Sequence, residues 1–167
     1  FSKIVGVQIQ PTMPSRFRGS VDQLINNTVA VVGTDTSFGS GVILSDQMVQ
    51  QLQLEKKFGK GVFIATVEHV VSEKQEYAVI FYDKNGSGLD TNEISMATIL
   101  QTDRSKDLAL LKIKSKPNYV KGSDLFDINS AVSIGDDVQA VGHPNEMWWT
   151  YTRGYISQFR EGYEWFY

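Results

Sequence analysis

Apolar residues in this chain gather in short runs rather than at helical spacing. Six runs follow one another: Thr28–Thr34 (TVAVVGT), Val42–Ser45 (VILS), Val62–Thr66 (VFIAT), Tyr77–Asp83 (YAVIFYD), Glu93–Gln101 (EISMATILQ) and Leu108–Lys112 (LALLK). Turn signals separate most of them: Gly39-Ser40-Gly41, Gly59-Lys60-Gly61, Lys84-Asn85-Gly86-Ser87-Gly88 and Asp103-Arg104-Ser105. Short strands punctuated by Gly, Asn, Asp and Ser predict an all-β barrel or sandwich. Asp46–Lys57 (DQMVQQLQLEKK) breaks the pattern. Its Gln- and Lys-rich face with Met48, Val49, Leu52 and Leu54 predicts one short surface helix between the second and third strands.

Residues 1–27 read as an arm: a strand through Ile4, Val5, Val7 and Ile9, then an irregular stretch holding Pro11, Pro14 and Gly19. Residues 28–116 hold the six runs and predict a closed barrel, because closure hides strand edges. Residues 117–130 are polar and loop-like and read as a connection. Strands resume within 131–167 at Val138–Gly142, Trp148–Thr152 and Tyr155–Phe159. Three strands cannot close alone, yet they carry Trp148, Trp149, Tyr151, Tyr155 and Phe159. That apolar surface needs a cover, so the segment reads as half of a second unit.

At 167 residues, 41% hydrophobic and 21% charged, the chain has the ordinary balance of a protein with a real core. A formal net charge of −3 argues against a nucleic-acid partner. No apolar stretch is long enough to predict a membrane-spanning helix. The absence of cysteine excludes a disulfide framework, a thiolate zinc site and a cysteine nucleophile, without fixing the compartment. Two histidines, His69 and His143, without clustered carboxylates make no zinc site, and His143 in "VGHP" reads as a residue shaping a turn before Pro144. No cofactor or metal is expected. Asn26-Asn27-Thr28 and Asn85-Gly86-Ser87 fit the glycosylation pattern, which is common by chance.

The candidate chemistry lies in two polar residues at strand boundaries. His69 follows the run Val62–Thr66, and Asp107 directly precedes Leu108–Lys112. Each has a bland reading: a histidine at a strand end is commonly structural, and an aspartate there commonly caps a turn. Taken as a pair they suggest more. A carboxylate that accepts from Nδ1–H fixes the tautomer that leaves Nε2 free as a general base, and it stabilises the imidazolium once formed.

"VFIATVEHVV" resembles the histidine motif of the trypsin/chymotrypsin-like serine proteases, and "RSKDLALLKI" resembles their aspartate motif, both nearest in flavour to the bacterial HtrA (Deg) branch. "TVAVVGTDTSFGSGVILS" resembles that branch's first hairpin. "IGDDVQAVGHP" followed by "TRGYIS" resembles the opening of its second barrel. The order, histidine before aspartate, fits as well. The resemblance spans roughly residues 25–160 and implies a double six-stranded β-barrel, the first complete and the second only begun. Val67 and Glu68 depart from the small or amide-bearing residues that usually precede the family's histidine.

The nucleophile is the larger departure. The family carries its serine in a Gly-x-Ser-Gly motif, and none occurs in these 167 residues. Ser40 matches the family's hairpin, Ser157 reads as mid-strand and Ser87 as a hairpin tip, so none is a good candidate. The serine, the oxyanion hole and the specificity pocket are therefore expected beyond Tyr167, on a C-terminal segment or a second chain that completes the second barrel.

The resemblance implies a serine endopeptidase acting on protein or peptide substrates, with His69 as base and Asp107 orienting it. It points to a periplasmic or secreted setting. The rival is a protease-like barrel without a nucleophile that serves as a protein-binding scaffold. An ordinary β-domain in which both polar residues are structural ranks last.

Overall fold

The computed structural model describes residues 7–10, 21–33, 38–71, 76–82, 94–124, 133–144 and 147–159. Six strands close a barrel: β2 (Thr28–Val32), β3 (Phe38–Ile43), β4 (Val62–Thr66), β5 (Glu76–Ile80), β6 (Ile94–Asp103) and β7 (Leu108–Ile113). Their order is β2-β3-β4-β7-β6-β5, and every neighbouring pair is antiparallel. Ala30↔Ile80 and Val31↔Val79 make the closing seam between β2 and β5. The all-β reading and the six-stranded barrel hold.

Alternation along the strands sorts side chains between two surfaces. Val29, Val31, Ile43, Ile64, Val79, Leu111 and Ile113 fill the interior with Tyr77 and Phe81. On β4 the neighbouring Phe63 faces the other way, yet it too is fully buried, against Leu44 and Leu54. The helical insertion covers that outer face. It is two helices rather than the one expected, α2 (Asp46–Gln51) and α3 (Leu54–Phe58). Ser45 starts α2, its Oγ accepting from Met48 N at 3.2 Å. Gln53 breaks the run at φ 52°, in the left-handed region that ends helices. The break turns Leu54 inward beside Phe63.

Two further expectations are corrected. Gly39-Ser40-Gly41 is not a turn; it lies within β3. A Cβ on Gly39 would come within 2.5 Å of Val70 Cγ2, and one on Gly41 within 2.7 Å of Ile64 Cγ2. These glycines serve close packing, the other common use of glycine in a strand. Trp148–Thr152 and Tyr155–Phe159 are not two strands. One strand, β9 (Thr150–Tyr155), replaces them, and Ser157 follows it in irregular structure.

Beyond the barrel, β1 (Val7–Gln10), β8 (Asp137–Gly142) and β9 form a three-stranded sheet in the order β1-β8-β9. Val7 pairs with Ala140, and Asp137 with Tyr155. The arm thus supplies a strand to the second sheet, and its later part holds a helix, α1 (Val21–Asn27), where irregular chain was expected. Ile4, Val5, Ser87 and residues 83–93 lie outside the described residues.

Sheet and barrel meet through an apolar cluster of Leu24 from α1, Ala30 from β2, Val141 from β8, and Trp149. Trp149 sits in the turn before β9, and its Nε1 donates to Thr28 O at 2.9 Å. That bond satisfies the indole N–H in a buried place.

Candidate active site

β4 runs out at Thr66, and the chain turns into one short helix, α4 (Glu68–Val71). Val67, Val70 and Val71 are buried in the barrel interior. Anchors three and four residues apart fix which side of the turn faces inward, so His69 is left facing out, its side chain 49% exposed.

Asp107 ends the hairpin turn between β6 and β7. Within the turn, Asp103 Oδ1 accepts from Ser105 Oγ at 2.6 Å and from Lys106 N at 3.2 Å. The Ser105 hydroxyl holds the Asp103 carboxyl below its usual range, with the Lys106 amide and charge adding to the effect. Asp107 itself has φ 51°, a left-handed conformation that Asp and Asn tolerate far better than β-branched residues. This backbone choice lets the next residue, Leu108, enter β7.

The two residues meet. His69 Nδ1 lies 2.8 Å from both Asp107 Oδ1 and Oδ2. The His69 backbone N–H also donates to Oδ1, at 3.0 Å. An ionised carboxylate only accepts, so Nδ1 carries a proton, and in the neutral ring Nε2 is the nitrogen with the lone pair. The double attachment, ring and backbone, fixes the imidazole's position and tautomer together. An exposed neutral imidazole held this way can take a proton at Nε2 and return it.

Among the described residues, no serine hydroxyl bonds to the His69 ring. Ser40 is 2% exposed, and its Oγ lies 2.8 Å from His143 Nδ1. His143 does not simply shape a turn. It is buried against Phe38, Trp148 and Trp149, and burial pushes its pKa down to about 4. No local pattern signals this pairing, which joins residues 103 positions apart. The Asn26-Asn27-Thr28 sequon is closed in the fold: Thr28 is buried and its Oγ1 donates to Leu24 O at 2.9 Å. Among the described residues no group of three His, Asp or Glu is placed to hold a metal ion, and no helix is long and apolar enough to cross a membrane.

A family model of the trypsin-like peptidase domain matches residues 39–167. A probable periplasmic serine endoprotease, DegP-like, of Bartonella henselae is 36% identical over 108 residues, covering 60% of this chain and 19% of that protein. An HtrA-like serine protease of Staphylococcus aureus is 29% identical over 141 residues, covering 79% of this chain and 17% of that protein. The crystal structure of the serine endoprotease from Yersinia pestis superposes with a TM-score of 0.58 at 30% identity, covering 86% of this chain and 46% of that one. The chain spans under a fifth of the length of these curated relatives.

Proposed function

The chain belongs to the trypsin-like peptidase family, and from that premise we propose that it contributes the base and its orienting acid to a serine endopeptidase of the HtrA type. The observation that carries the reading is the placement of both Asp107 carboxylate oxygens 2.8 Å from His69 Nδ1.

In the proposed reaction a serine hydroxyl gives its proton to His69 Nε2 as its oxygen bonds to the scissile carbonyl carbon. His69 passes that proton to the amine nitrogen as the carbon–nitrogen bond breaks. Water then repeats the sequence on the acyl-enzyme ester, releasing the acid and the free serine. Asp107 stays ionised throughout and stabilises the imidazolium. No cofactor takes part. The substrates are proteins or peptides, and the names of the periplasmic relatives support a setting outside the cytoplasm.

The serine and its oxyanion donors come from outside these 167 residues, which hold no Gly-x-Ser-Gly motif. The segment or chain that brings them also completes the second barrel. The division into arm (1–27), first barrel (28–116), connection (117–130) and second-barrel opening (131–167) belongs to the same reading. A second reading, a binding scaffold without catalysis, is favoured by that same missing motif.

A fluorophosphonate probe separates them. The 167-residue chain should not label, and a longer product of the same gene should label at a serine beyond Tyr167. Labelling at Ser40 would refute the placement of the nucleophile. A full gene product that never labels would leave the scaffold reading.

A further inference from the structure

His143 is 6% exposed and lies where β8 ends, facing β3 of the barrel. Its backbone N–H donates to Ser40 Oγ at 3.1 Å, and its Nδ1 lies 2.8 Å from the same oxygen. Oγ accepts the amide proton, and the arrangement that also gives the hydroxyl proton an acceptor has it donating to Nδ1. That makes the ring neutral, with its proton on Nε2. Nε2 is buried, and no hydrogen-bond acceptor among the described residues reaches it.

Three aromatic rings pack against the imidazole. Phe38, Trp148 and Trp149 stand edge to face with the imidazole at centroid distances of 5.7, 5.9 and 4.7 Å. None of these side chains titrates, and neither does Ser40. Tyr82 lies beyond Trp149, and on β8 and β9 the Asp137 carboxylate is engaged by Arg153. Among the described residues, a positive ring here would find no carboxylate bonded to it. It would also have to donate from Nδ1, which reverses the bond to Ser40 and strands the hydroxyl proton.

We propose that Ser40 and His143 form an acid-released latch: the neutral pair holds the second sheet on the barrel, and protonation of the ring lets the sheet go. The latch touches the His69 site through β3. Thr66, just ahead of α4, donates its Oγ1 to Ser40 O at 2.8 Å, and Gly39 packs directly under Val70, next to His69. Release of β3 from the sheet therefore loosens the seat of α4. None of this depends on the protease reading; the latch stands or falls on the junction itself.

The chain has two histidines, so ring-nitrogen NMR on histidine-labelled protein reads each one directly. Titrate the 167-residue chain downward from pH 7 while following three signals: the His143 ring, hydrogen-exchange protection of the Trp149 indole N–H, and protection of the Leu111 amide. His143 should hold its proton on Nε2 and titrate with a midpoint near 4. Trp149 protection should be lost over that same range while Leu111 stays protected. In a His143→Asn variant, which keeps a polar partner for Ser40 but cannot charge, Trp149 protection should persist. Four results overturn the latch: the neutral proton on Nδ1, a midpoint at or above 6.5, simultaneous loss of Leu111 and Trp149, or loss of Trp149 protection at the same pH in the variant.

Discussion

The Gly122 backbone N–H donates to Asn27 Oδ1 at 2.9 Å, tying the chain that leaves the barrel to the end of α1. The same oxygen accepts from Lys121 N at 3.2 Å, and Asn27 Nδ2 donates to Ser123 Oγ at 3.2 Å. Asn27 is buried, so its loss would leave backbone amides without partners. Asn27→Ala should destabilise the chain by roughly 2–3 kcal/mol. Asn27→Asp, which keeps the accepting oxygen, should cost less. Urea unfolding with equal slopes checks both; an alanine variant within error of wild type would remove the clamp from the account.

Gly39 and Val70 test how α4 is seated. A methyl group at Gly39 would meet Val70 Cγ2 at 2.5 Å, and overpacking of this kind costs about 1–3 kcal/mol. The collision would also push on the turn that carries His69. Gly39→Ala should therefore shift the His69 ring resonances, and adding Val70→Ala should restore them while recovering part of the lost stability. Simple additivity of the two changes would show that they do not touch.

Asp107 separates conformation from charge. At φ 51° the backbone suits Asn and penalises Val. Asp107→Asn should stay folded with little change in melting temperature, and Asp107→Val should lose about 1–2 kcal/mol. In gene product that carries the proposed serine, the Asn variant should still lose roughly 10²–10⁴-fold in peptide hydrolysis, the range of a general base. Retained activity would sink the role proposed for the pair.

Stability should depend on pH through His143. Its pKa is pushed from 6.5 to about 4 in the fold. Between those values the unfolded chain binds a proton that the folded chain refuses, so stability falls as pH falls. The contribution is complete above pH 6.5 and lost by about pH 4, amounting to roughly 3 kcal/mol at most. The difference in unfolding free energy between wild type and His143→Asn should close over that window. A difference flat in pH would contradict it.

The barrel was legible because its strands are local: each apolar run is short, β-branched and bounded by polar turns. That His69 and Asp107 meet was legible because His69 follows one buried run and Asp107 directly precedes another. What escaped was set by distant packing. Gly39 and Gly41 look like a turn until Val70 and Ile64 are seen pressing on them. Trp148 and Trp149 look like strand residues, but Trp149 turns inward at φ 46° to reach Thr28. No local pattern shows that Gln53 breaks a helix so that Leu54 can cover Phe63. Ser40 and His143 each look unremarkable, and only their meeting gives them a role.

The pairing of Val7 with Ala140 has a consequence for synthesis on the ribosome. The barrel's strands all lie between the two partners, so the barrel is an insertion within the second sheet. It can close as soon as β7 emerges. β1, made first, must wait with a bare edge until β8 has been translated and released from the exit tunnel. Synthesis runs at about 5–20 residues per second, so this interval lasts seconds, long enough for an unpaired strand to meet other chains. Factors that shelter unpaired strands of a nascent chain should therefore raise the yield of this protein more than substitutions that stabilise its barrel.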